Sequence, residues 1–127
     1  MKATRNLVQN LSRLKTQAAF DSLRKTKTRW VSQAFSIQAI PHEPHESAEI
    51  PSFCVITSKK TAKLATDRNK MRRRLRAVAY EILPIHAKPK MNYMIVARKD
   101  ALTRPMDDLR KDLLWCLKKL DLRNNAD

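Results

Sequence analysis

Nine Lys and Arg residues against a single acid crowd into SKKTAKLATDRNKMRRRLR, residues 58 to 76, and within that run Met71 and Leu75 keep helical spacing. Successive helical residues turn by about 100°, so Met71, Leu75, Val78 and Ile82 fall in one stripe. Asn69, Arg72, Arg73 and Arg76 fall on the opposite side with Tyr80 below them, and Arg68, Lys70 and Arg74 flank the stripe. A chain with this segment must bury one side of a helix against apolar neighbours and leave the other side strongly positive. Thr66 or Asp67 is the expected helix cap. Lys59, Lys60 and Lys63 extend the positive surface into the loop before the helix.

A solvated helix face normally interleaves its cations with Glu at four-residue spacing. Here no acid follows Asp67 until Glu81, so the cations repel one another along the helix. The imbalance runs through the whole chain, with 27 Lys and Arg against 12 Asp and Glu and a formal net charge of +15. Self-repulsion of that size opposes compaction unless a partner supplies negative charge, and a phosphate backbone is the commonest such partner. Arginine suits phosphate because its planar fork bonds two oxygens at once, and Asn69 can donate to a phosphate or a ribose hydroxyl. Nucleic acid is the expected partner.

The 127 residues, 43% of them hydrophobic, suit one compact domain. Its expected span is 16–122, after a flexible basic arm over 1–15 and before a polar tail over 123–127. No apolar run of about 18 residues and no secretory signal is present, so a soluble protein is expected. The first 20 residues, basic and free of acids, have the composition of a mitochondrial transit peptide, but the same basic balance continues beyond them. A membrane-surface role for the basic helix would require Met71, Leu75, Val78 and Ile82 to leave the core. Cys54 and Cys116 lie among apolar neighbours and read as two buried thiols of a reducing compartment. His42 and His45 in PHEPHE have too few companions to complete a metal site, and His86 is isolated. No nucleophile, base and orienter set is visible, nor a Gly-rich phosphate loop.

Along the chain, Thr16 caps an expected helix from Gln17 to Lys25 that turns Phe20 and Leu23 inward. WVSQAFSIQAI, 30 to 40, sets Val31, Phe35, Ile37 and Ala39 against Ser32, Ser36 and Gln38, the pattern of one half-buried strand. PHEPHESAEIP reads as a loop, FCVIT as a more buried strand, PIHAKPK as a second loop and NYMIVAR as another strand. Pro105, Asp107 and Asp108 open a last helix of about 15 residues, with Lys118 and Lys119 in its final turn. Met106, Leu109, Leu113, Leu117 and Leu120 are its inward set. The expected fold is a small α+β sandwich in the order α-β-β-(β)-α-β-α. There is no glycine, so turns that need positive φ must be met by Asn or Asp, or avoided.

The Ser-Lys-Lys loop leading to Arg68, Asn69, Lys70, Arg72, Arg73 and Arg76 resembles the signature segment of the protein subunit of bacterial ribonuclease P. The resemblance extends over most of the chain: RLKTQAAF is similar to that family's first helix, AFSIQAI to its first strand, and NYMIVARKDALTRP to its last strand and the approach to its last helix. It implies a fold shared with the second domain of a small-subunit ribosomal protein, with a left-handed strand-helix-strand crossover where physical rules alone favour the right-handed one.

The resemblance also implies that Lys59, Lys60, Lys63, Arg68, Asn69, Lys70, Arg72, Arg73 and Arg76 contact a catalytic ribonuclease P RNA. Lys70 stands where the family has arginine, keeping the charge without the fork. A cleft between first helix and sheet would hold the single-stranded 5′ leader of precursor tRNA with Phe20, Arg24, Lys25, Ser36 and Gln38. Arg24 and Gln38 stand where many relatives carry aromatics, so charge and hydrogen bonds would replace base stacking there. The RNA would hold Mg²⁺ and perform the hydrolysis, with no metal bound by this chain's side chains alone and a bacterial cytoplasm as the setting. The rival reading is a structural RNA-binding protein of the ribosomal type, which would bind RNA without changing a cleavage rate.

Overall fold

The computed structural model describes residues 12–13, 25–41, 52–88 and 91–122. Five strands form one sheet: β1 (Ser12–Arg13), β2 (Arg29–Val31), β3 (Phe35–Pro41), β4 (Ser52–Ile56) and β5 (Met91–Ala97), in the order β1-β4-β5-β3-β2. A long helix, α1 (Ala65–His86), connects the adjacent parallel strands β4 and β5. A 3-10 turn over Lys99–Leu102 then leads into α2 (Met106–Lys119). The α+β expectation is met, and Ser12 and Arg13, inside the stretch expected as an arm, pair in parallel with Ser52 and Phe53.

Period-two alternation decides which sheet face receives the helices. Phe35, Ile37, Ala39, Phe53, Val55, Tyr93, Ile95 and Ala97 share one core with Met71, Leu75, Val78 and Ile82 of α1 and Leu109, Leu113 and Leu117 of α2. Ala79 and Leu83 widen the α1 stripe, and Cys116 joins the buried residues of α2. Met106 and Leu120, expected inward, end only partly buried at the rim. With its stripe packed this way α1 has no apolar side to offer a lipid surface, and among the described residues no helix is long and apolar enough to cross a membrane.

The structure corrects four further expectations. The single strand over 30–40 is two strands, because Ser32 breaks it: its backbone N–H and its hydroxyl both donate to the Phe35 carbonyl at 2.8 Å. The β3 strand is also not half exposed, since Ser36 and Gln38 are buried with the apolar residues. Alternation reports two faces but cannot say whether the polar one meets water. Finally, α1 runs past Pro84, placed in a loop from sequence, to His86. A proline in the last turn forfeits one backbone bond, while burial of Leu83 and Ala87 and the Ala87 N–H to Leu83 carbonyl bond hold that turn. At the other end of α1 the cap is Leu64 with no side-chain bond, and Thr66 and Asp67 lie inside the helix.

Among the described residues the glycine-free chain meets one left-handed position, Asp121 at φ 56°, just beyond α2. The Asp121 N–H donates to the Lys118 carbonyl at 3.2 Å and the Leu122 N–H to the Leu117 carbonyl at 2.8 Å, with Leu122 and Leu117 both buried. That is the hydrogen-bond pattern by which a left-handed residue ends a helix, a position usually given to glycine. The expected helix over 17–25 apart from Lys25, with Phe20 and Arg24, the His42 and His45 loop, Pro89 with Lys90, and the tail from 123 lie outside the described residues.

Asp121→Gly is expected to stabilise the fold by about 1 kcal/mol by relieving the left-handed backbone. The urea midpoint should rise with an unchanged slope; a fall would show that the carboxylate contributes more than its backbone costs.

Candidate nucleic-acid interface

The positive surface is built from a turn and a helix face. Ser58 and Thr61 close the turn, their hydroxyls 3.1 Å apart and the Thr61 N–H donating to the Ser58 carbonyl at 3.1 Å, which leaves Lys59 and Lys60 exposed at the tip. Arg68 closes the approach to α1 by donating from one nitrogen to the carbonyls of Ala62 at 2.9 Å and Lys63 at 2.8 Å. Its guanidinium therefore also fastens the loop that carries Lys63. Arg72 donates to the Thr57 hydroxyl at 3.2 Å and to the Asn69 side-chain oxygen, which ties the helix face to the end of β4. An open concavity of about 870 Å³ follows, lined by Val55, Asn69, Arg72, Arg73, Arg76, Ala77 and Tyr80. Tyr80 packs edge-on against Phe53, ring centres 5.1 Å apart, so an aromatic anchored to the core forms one wall.

The arginines divide into two groups. Arg74 donates to the Ala101 carbonyl at 2.9 Å and to the Arg104 carbonyl, holding the 3-10 turn onto α1. Arg104 grips Asp112 through two nitrogens, at 2.6 and 3.3 Å, and reaches Gln33 at 2.9 Å. Arg110 does the same to Glu81, at 2.6 and 3.2 Å, and also pairs with Asp107. Three carboxylates are thus taken up by arginines that brace α2. Among the described residues no hydrogen bond or ion pair engages the side chains of Lys59, Lys60, Lys63, Lys70, Arg73 and Arg76, all of them exposed. An array of exposed cations without counter-charges is a surface prepared for a polyanion.

The opposite sheet face carries a cross-strand row of Gln38, Met94 and Cys54, beside Ser36 paired with Val96. Met94 is buried yet lies outside the helix-side core, in keeping with this second face. Ser36 and Gln38 are only 5% and 7% exposed, so the side chains a ligand meets first here stand at the border. Among the described residues those are exposed Lys25, beside Thr26 whose hydroxyl donates to the Ala39 carbonyl at 3.3 Å, and Arg29 and Val31, cross-strand from Gln38 and Ser36. Sequence reasoning missed Arg29 and Val31 because the β2–β3 turn that aligns them was read as continuous strand. It also missed the anchoring roles of Arg74 and Thr57, which rest on contacts distant in sequence.

Burial pushes both thiols, Cys54 and Cys116, up to about 12, with Asp112 adding to the rise at Cys116. Neither is a nucleophile at neutral pH.

The family model described as Ribonuclease P matches residues 8–121. The ribonuclease P protein component of Paramagnetospirillum magneticum is 30% identical over 114 residues, covering 90% of this chain and 86% of that one. That of Caulobacter vibrioides is 38% identical over 61 residues, covering 45% and 41%. Among solved structures, the Staphylococcus aureus RNase P protein superposes with a TM-score of 0.69 at 20% identity, covering 88% of this chain and 97% of that one. The Thermotoga maritima RNase P protein gives 0.69 at 18%, covering 85% and 96%. At such identities the two structures speak for the fold.

Two outcomes follow from this geometry. Arg74→Ala should destabilise the protein by about 1–3 kcal/mol, because two carbonyls lose a charged donor. Arg73→Ala should stay within about 0.5 kcal/mol, as an exposed residue without a partner; equal losses in urea unfolding would contradict the division of the arginines. The thiols predict alkaline sensitivity: their contribution is complete below pH 9.0 and is lost as pH rises toward about 12, because the unfolded chain gives up those protons first. Urea stability followed from pH 8 to 11 should fall less steeply in Cys54→Ala/Cys116→Ala, and parallel curves would refute the assignment.

Proposed function

This chain belongs to the ribonuclease P protein family, and on that premise we propose that it is the protein subunit of the ribonucleoprotein that frees the mature 5′ end of tRNA. The family makes it a component of an endoribonuclease with an RNA partner. The observation that carries the finer reading is the set of uncompensated cations on the 58–61 turn and α1, beside a concavity with an aromatic wall. In this reading Lys59, Lys60, Lys63, Lys70, Arg73 and Arg76 meet the phosphates of the catalytic RNA, while Arg68, Asn69 and Arg72 hold the turn and helix in register for them.

The sheet face opposite the core takes the 5′ leader of precursor tRNA. Ser36 and Gln38 lie on that face, Lys25 stands at its border, and Phe20 and Arg24 are the contributions expected from the preceding helix. The protein lowers the repulsion between two RNAs and holds the leader, which aligns the scissile bond without contributing a reacting group. Mg²⁺ belongs to the RNA in this reading; among the described residues no three His, Cys, Asp or Glu side chains stand together to hold a metal ion. In this reading the complex works in the bacterial cytoplasm.

The test is cleavage of a precursor tRNA by a bacterial ribonuclease P RNA at low Mg²⁺, with and without this protein, on substrates with and without a leader. Faster cleavage that depends on the leader is expected. Tight, salt-sensitive RNA binding with no change in rate would instead indicate a structural RNA-binding protein.

A further inference from the structure

The chain has two tryptophans, and the fold leaves both partly exposed. Trp30 is 37% exposed and Trp115 is 49% exposed. Trp30 pairs across the ladder with Ile37, a core residue, so its indole stands on the helix side of edge strand β2. Helix α2 packs against β2, and Arg104 joins Asp112 of α2 to Gln33 of the β2–β3 turn, so Trp115, one turn after Asp112, lies on the side of α2 that faces this edge. Lys119 and Lys118 place their ammonium groups 4.5 and 5.9 Å from the Trp115 ring centre. Among the described residues no ion pair engages either lysine, and the neighbouring Asp112 is held by Arg104.

Strand β2 divides this edge between two surfaces. Arg29 and Val31 lie on the sheet face assigned above to the leader, and Trp30 lies on the other side of the same three residues. A single strand that leaves the first face over this edge passes from Arg29 to Trp30, the next residue of β2, on the side where α2 packs. We propose that Trp30 and Trp115, with Lys118 and Lys119, form a stacking platform for leader nucleotides upstream of those held on the sheet face. Every nucleobase has a π face to lay on an indole, and the two lysines, without acid partners, can turn from the ring to the flanking phosphates. The platform is therefore indifferent to sequence, as a subunit serving many precursors requires. A second copy of this chain is a poor occupant, because two molecules each carrying +15 repel.

The inference rests on the leader reading, and one assay separates the two. The full chain assembled with ribonuclease P RNA is titrated with three precursor tRNAs: leaderless, with a leader that fills the sheet face, and with that leader extended by about ten nucleotides, within the site size of small single-strand binders. Tighter binding of the short-leader substrate than of the leaderless one tests the sheet face. The extension should add about tenfold in affinity, the scale of one stacked base. Trp115→Ala and Trp30→Ala should remove that gain and leave short-leader binding unchanged, and Trp115→Phe should keep most of it. Because both tryptophans lie in the platform, long-leader RNA should also quench intrinsic fluorescence more than short-leader RNA. A gain that survives both alanine substitutions overturns the proposal. So does an equal loss for both leaders, which would assign the patch to the catalytic RNA, or a concentration-dependent self-association abolished by Trp115→Ala.

Discussion

Everything on the cationic surface depends on the burial of one stripe of α1. Met71, Leu75 and Val78 are each 1% exposed, wedged between the sheet and α2. Close packing admits essentially one rotation of the helix in that seat. Each cation's direction is thereby set by residues that carry no charge. Arg73 and Arg76 face outward because Met71 and Leu75 face inward, and rotating the helix to hide a cation would expose the stripe. The hydrophobic term thus opposes, and overcomes, the like-charge repulsion concentrated on the outer side.

Charge is then sorted rather than balanced. Glu81, Asp107 and Asp112 all lie on the side where α2 meets α1 and the β2–β3 turn, and Arg104 and Arg110 take them up. Arg74 spends its donors on carbonyls of the segment before α2. Acids and bracing arginines collect at α2, while the concavity beside β4 keeps cations alone. With α2 adjoining β2 and the concavity adjoining β4, the two tryptophans stand across the sheet from the arginine face. The two surfaces proposed for RNA are therefore separated on the molecule.

Much of this was legible in the chain because helical and strand periods are local. The α1 stripe, the cation face opposite it, β4, β5 and α2 all follow from spacing within single segments. Of the two ways a glycine-free chain can treat positive φ, by Asn or Asp or by avoidance, the end of α2 takes the first at Asp121. What could not be read depends on contacts distant in sequence. Arg74 looks like any other cation in RRRLR until Ala101 and Arg104 fold back onto it. Ser32 reads as the polar step of an alternating strand, although its hydroxyl ends one strand and starts the next. Gln38 reads as solvent-facing because alternation distinguishes the two faces of a strand without revealing what covers each.

The most direct test of the central claim, that uncompensated cations on α1 meet RNA phosphates while the bracing arginines do not, is the salt dependence of binding to ribonuclease P RNA. Each phosphate neutralised contributes about 0.7–0.9 to the slope of log K against log salt. Arg73→Ala/Arg76→Ala should flatten that slope by about 1.4–1.8, whereas Arg110→Ala should leave it unchanged. A slope that Arg73→Ala/Arg76→Ala leaves intact, or that Arg110→Ala flattens equally, would contradict the account.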